Sequence, residues 1–198
     1  MSDWLHGIRV PPLTISELRE MARLIRKGCQ LNDEERFPVL PFLETALPQA
    51  LAGFDFEIVD ELSDGDEARA YPDGCLENPD GPFIKLTRSV YDGAWLDNGR
   101  HRLTVLHECA HVILHGKVTV HRRGPRGAAL KAYENSEWQA NQLAAELLMP
   151  LPSFEACVSF EDFCKVMGVS RKAATRRINK LTERGELLQV VWLGKEAR

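Results

Sequence analysis

Several features are scarce in this chain, and each scarcity narrows the field. No apolar run approaches the roughly 20 residues that a bilayer demands, so no membrane span is expected. The opening stretch "MSDWLHGIRVPP" lacks a basic segment followed by an apolar one, so no secretory signal is expected either. The five cysteines (Cys29, Cys75, Cys109, Cys157 and Cys164) form no Cys-x-x-Cys pair and no dense framework. They read as free thiols in a reducing compartment, which makes the expected location cytoplasmic. Internal repeats and low-complexity tracts are missing as well.

What is present suits an ordinary globular protein: 44% hydrophobic and 27% charged residues over 198 positions, enough for one domain with a small appendage. The net charge of −4 conceals an asymmetry. Residues 151–198 hold 9 Lys and Arg against 6 Asp and Glu, a balance of +3, which leaves −7 for residues 1–150. Two modules with different partners would produce such a split.

Hydrophobic periodicity supplies the coarse architecture. Leu13 to Gln30 reads as a helix with Thr14 or Ser16 as its cap, and a Pro-bounded helix follows from about Pro41 to Leu51. Phe54, Phe56 and Ile58 alternate as a strand does. Two Asp-Gly pairs flank short β-like runs at 68–71 and 82–87, the signature of a hairpin or meander. The spacing predicts helices over about 101–115 and 136–149, separated by a basic, loop-like stretch. Beyond Pro152 comes helix, turn at "MGVS", helix capped by Ser170, then a short strand pair.

Chemistry concentrates in "LTVLHECAHVILHG", residues 103–116. On a helix, His107 and His111 stand about 40° apart on one face and one turn from each other. Two imidazoles so placed can hold one metal ion from the same side. Glu108 points about 100° away, out of the coordination sphere but within reach of a metal-bound water, which makes it a candidate general base. A chance match would arise about once in sixty such chains, and two histidines with a glutamate are poor filling for an apolar helix.

A catalytic zinc takes three protein ligands and leaves one position for water. His115 lies two turns from His107, about 12 Å along the axis, too far to ligate directly and better placed behind the site. His121, Glu134, Glu137 and Glu146 remain candidates for the third ligand. Glu137 and Asn141 share a face of the helix "ENSEWQANQLAAELLMP", so Asn141 could orient a ligand if Glu137 serves. Stabilisation of a developing oxyanion has five candidates, Tyr91, Tyr133, His121, Arg122 and Arg123, which spacing does not rank.

"RHRLTVLHECAHVILHG" followed by "ENSEWQANQLAAELLMP" resembles the ImmA/IrrE family of metallopeptidases over roughly residues 100–152. The family pattern is a His-Glu-x-x-His helix and a second helix of the form Glu-x-x-Ala-Asn-x-x-Ala-Ala-Glu-Leu-Leu-Met-Pro. The resemblance implies an α+β, zincin-like domain with one catalytic Zn2+ held by His107, His111 and Glu137, and Glu108 as base. It implies a protein substrate too: a helix-turn-helix repressor whose cleavage relieves transcriptional repression in bacteria or phages. Cys109 departs from the small or aliphatic residue usual there and is expected only to pack. A second departure from the family is that no long C-terminal sensor domain is expected in this sequence.

These readings place a metallopeptidase domain at 1–152 and a helix-turn-helix or winged-helix-like module at 153–198. The module's second helix carries Arg171, Lys172, Arg176, Arg177 and Lys180, which could meet DNA or dock a protein partner. Its apolar stripe of Ala173, Ala174, Ile178 and Leu181 would equally suit packing on the peptidase core. Two rival functions stay open: a non-catalytic regulator that sequesters a repressor, and a DNA-binding regulator whose metal is structural.

Overall fold

Thr14 begins the first helix, α1 (Ile15–Gly28), through a reciprocal cap. The Glu17 amide donates to the Thr14 hydroxyl at 3.3 Å, and the Thr14 amide donates back to the Glu17 carboxylate at 2.7 Å. The computed structural model describes residues 7–63, 65–116 and 131–187. Near the end of α1, buried Arg26 donates to the main-chain carbonyl of Leu147 at 2.6 Å, which ties this helix to one much later in the chain.

The helix expected from Pro41 to Leu51 is present but irregular. It runs as α2 (Val39–Pro41), a π-helical turn (Phe42–Ala46) and α3 (Leu47–Ala50). The Leu47 amide reaches five residues back to the carbonyl of Phe42. Pro48 follows and has no N–H to give, so a regular ladder would in any case be interrupted there.

Three strands make the sheet: β1 (Asp55–Val59), β2 (Ala68–Tyr71) and β3 (Phe83–Thr87), in the order β1-β3-β2. The expected antiparallel pair is there, with Ala68 opposite Leu86 and Tyr71 opposite Phe83. β1 instead runs parallel to β3, with Asp55 opposite Phe83. β3 is the central strand, buried at Phe83, Ile84, Leu86 and Thr87, as a strand covered on both faces must be.

A helix absent from the expectations, α4 (Arg88–Trp95), follows β3 directly. Its Gly93 lets it lie close to the next helix, since a Cβ there would stand 1.8 Å from the His101 ring nitrogen Nδ1. That next helix, α5 (Gly99–His115), is capped by Asn98, which accepts from the Arg100 amide at 3.0 Å. After a 3₁₀ turn (Ala132–Glu134) comes α6 (Ser136–Leu148), capped by Asn135. Val105, Leu106, Cys109 and Ala110 of α5 and Ala140, Leu143, Ala144 and Leu147 of α6 are buried in one core. Cys109 packs as expected, its thiol pushed well up by burial.

The C-terminal region is helical: α7 (Ser153–Ala156), α8 (Phe160–Met167) and α9 (Arg171–Glu183). Gly168, at φ +63°, ends α8 in the left-handed conformation, and the Ser170 hydroxyl accepts from the Ala173 amide to start α9. This helix-turn-helix seats its turn on the start of α5, where Gly99 leaves room: a Cβ there would lie 2.3 Å from the Ser170 nitrogen. Phe154, Phe163, Met167, Ile178 and Leu181 extend the core into this region. The final strand pair expected from sequence lies outside the described residues. Among those described, no helix is long and apolar enough to cross a membrane.

Candidate metal centre

α5 and α6 pack side by side, and their polar residues meet at one point. His107 and His111, one turn apart on α5, bring their Nε2 atoms to 3.0 Å. From the first turn of α6, Glu137 places Oε2 at 3.1 Å from His107 Nε2 and Oε1 at 3.2 Å from His111 Nε2. The neighbouring candidates for third ligand are engaged elsewhere. Glu134 pairs with Arg9 at 2.9 Å, and Glu146 pairs with Arg177 at 2.6 Å in the core. His121, Arg122 and Arg123 lie outside the described residues.

Donor atoms about a tetrahedral zinc, with bonds of about 2.0–2.1 Å, stand roughly 3.3 Å apart. The observed 3.0–3.2 Å separations among His107, His111 and Glu137 therefore fit a single small cation. The three form a cluster able to hold a metal ion. Burial alone would raise the Glu137 carboxyl, but hydrogen bonds from both histidines hold it well below the usual carboxylate range. For His107, burial opposes protonation, and the hydrogen bond to Glu137 with the charges of Glu108 and Glu137 outweighs it and raises the pKa.

A chain of ring hydrogens sets how His111 presents itself. Gln139 of α6 donates both amide hydrogens to main-chain carbonyls, those of Pro11 and Tyr133, each at 2.8 Å. Its Oε1 can then only accept, and it faces His115 Nε2 at 3.2 Å. His115 is buried, and burial with the nearby His111 lowers its pKa to about 4, so its ring is neutral and carries a single N–H, on Nε2. His115 Nδ1 therefore offers a lone pair to the Nδ1–H of His111, 3.1 Å away. Once an ion takes the place of the hydrogen on Nε2, His111 would keep its Nδ1–H on His115 and direct its Nε2 lone pair at the point shared with His107 and Glu137.

Glu108 turns the other way, toward the sheet. Only 9% exposed, it is hydrogen-bonded by the main chain of Ala70 in β2. Burial pushes its carboxyl up, against the pull of His107 and His111. Among the described strands β2 pairs only with β3, which makes it an edge strand, and Glu108 takes the Ala70 amide.

The remaining sequence candidates fall in other places. Asn141 donates to the main-chain carbonyl of Glu137 at 2.7 Å, so its amide serves its own helix rather than orienting the carboxylate. Tyr91 spends its hydroxyl on Glu44 at 2.6 Å. Tyr133 is 40% exposed, with the Lys131 ammonium 5.6 Å from its ring centre. Arg171 pairs with Glu161 and lies over the Phe160 ring, whereas Lys172, Arg176, Arg177 and Lys180 line a groove against α5 and α6. Gln139 and Ala70 were not among the candidates. A glutamine on the buried side of α6 was the only available hint of the first, and nothing marked the second.

A protein-family model described as the IrrE N-terminal-like domain, a peptidase family, matches residues 71–179, from the end of β2 through most of α9. None of the curated proteins compared matches the chain. With more than half of its length matched and His107, His111 and the downstream Glu137 brought to one point, the chain belongs to the IrrE N-terminal-like family of metallopeptidases.

Proposed function

We propose that this protein is a zinc-dependent endopeptidase whose substrate is a helix-turn-helix transcriptional repressor, cleaved to relieve repression. The observation that supports the chemistry best is the convergence of His107, His111 and Glu137 beside a buried Glu108 held by the edge strand β2. His107, His111 and Glu137 would hold the ion. Zinc bound there supplies a Lewis acid that brings the pKa of its water toward roughly 7 and polarises a peptide carbonyl.

The chain's own residues do the rest. The edge of β2 away from β3 would lend its remaining main-chain groups to an extended peptide, which would align the scissile bond with the site. Glu108, held by Ala70, takes the proton of the attacking water on its carboxylate and returns it to the departing amine. Burial raises its pKa, which favours uptake of that proton. The repressor as substrate rests on the family resemblance.

Glu108→Gln keeps the side chain's size and removes the base. The variant is expected to bind zinc as the parent does and to lose about 10²–10⁴-fold in cleavage rate of a co-expressed, neighbouring-gene repressor. Cleavage at the parental rate would overturn the assignment of the base. Relief of repression by the variant, with the repressor left intact, would favour sequestration instead.

A further inference from the structure

The face of α5 and α6 that bears the ligands does not stop at them. Leu103 lies one turn before His107 and Asn141 one turn after Glu137, and both line a groove of about 340 Å³ whose far wall is α9. Leu103, Trp138, Ala145 and Met149 give it an apolar floor. Arg100, Lys172, Arg176, Arg177 and Lys180 line it as well, and among the described residues no carboxylate does.

These cations are only partly neutralised. Arg100 pairs with Glu67 at 2.7 Å, and Arg177 gives one nitrogen to Glu146. The other terminal nitrogen of Arg177, Nη1, is buried in the groove wall without a hydrogen-bond partner among the described residues. Lys172 and Arg176 are exposed and make no ion pair with any described residue. Burial, then Arg184, Arg176 and Arg177, lower the pKa of Lys180, the mark of crowded positive charge.

We propose that this groove is a substrate subsite that seats an acidic, amphipathic polypeptide segment close to the scissile bond. The proposal rests on the endopeptidase reading for its purpose, and on charge and shape for its occupant. Apolar side chains of such a segment meet Leu103 and Trp138, while its carboxylates meet Lys172, Arg176 and Lys180. A DNA duplex fits less well. The basic face of α9 is half enclosed by α5 and α6, whereas a recognition helix must stand clear to enter a major groove. The chain is acidic overall, so a basic channel beside the metal centre also selects among peptides rather than attracting them at large.

The test uses the zinc-loaded full chain with Glu108→Gln, so that binding is read without turnover. Three fluorescein-labelled probes are titrated by anisotropy: a 14-residue Glu/Leu amphipathic peptide, its Lys/Leu counterpart and a 20-base-pair duplex. Expected is preference for the acidic peptide, weakened at least tenfold by adding Lys172→Glu with Arg176→Glu, a loss that shrinks at high salt. Reversal at two distant exposed positions, Lys27→Glu with Arg88→Glu, makes the same change in net charge and is expected to cost under threefold. Ala173→Trp, which fills the groove without changing charge, is expected to weaken binding too. Equal binding of acidic and basic peptides, equal loss from the two double reversals, or tighter binding of the duplex would each overturn the proposal. Zinc content and repressor cleavage by the parent chain are scored separately, so a failed groove and a failed peptidase are told apart.

Discussion

A single amide, that of Gln139, governs which nitrogen His111 turns to the metal point. Both of its hydrogens go to carbonyls, so its oxygen fixes the His115 N–H, and His115 fixes that of His111. Gln139→Ala removes the acceptor and lets His115 take the other tautomer, which would turn two N–H groups toward each other. Zinc affinity is expected to fall by roughly 10–100-fold, the usual cost of losing such an outer partner. Competition with a chromophoric chelator reads the affinity, and ¹⁵N spectra of the ring nitrogens read the tautomer. Unchanged affinity in the alanine variant, with His111 still protonated on Nδ1, would show that the amide does not set the tautomer.

Among elements, the buried pair between α6 and α9 joins the C-terminal helices to the ligand helices. Glu146 and Arg177 are each 1% exposed at the side chain and lie 2.6 Å apart, with Arg19 of α1 adding a second cation at 3.3 Å. Removing one partner leaves a charge in a place water does not reach. Glu146→Leu is expected to destabilise the fold by about 3–5 kcal/mol, whereas Glu146→Leu with Arg177→Met recovers much of it. Urea unfolding of the four proteins of the cycle measures this, and simple additivity would mean the pair is not coupled. The same scale shows how much was legible in the sequence. α1, α5 and α6 announce themselves because each has an apolar stripe and a local cap, Thr14, Asn98 or Asn135. α4 did not, since Gly93 and its mixed face take their meaning from His101 on another helix. The parallel pairing of β1 with β3 also hides, because period-two alternation marks a strand but not its direction. In the site, helical spacing alone puts His107 beside His111, yet Glu137 and Gln139 depend on how α6 lies against α5.

Taken as a whole molecule, the fold hangs its three donors on the two helices at its centre, so occupancy and stability are linked. His107 and His111 belong to α5, Glu137 to α6, and both helices fill the core. A cation that binds only the folded arrangement adds about 2.7 kcal/mol when present at 100 times its dissociation constant. For a chain of this size, each kcal/mol moves the melting temperature by about 2–4 °C, so chelation is expected to lower it by about 5–11 °C. Glu108→Gln should keep that response, because its carboxylate lies toward β2 and not among the donors. His111→Ala should abolish it and leave the melting temperature the same with or without zinc. Thermal scans of the three proteins, each with zinc and with excess chelator, decide the matter. An equal chelation shift in parent and His111→Ala would place the stabilising ion somewhere other than between α5 and α6.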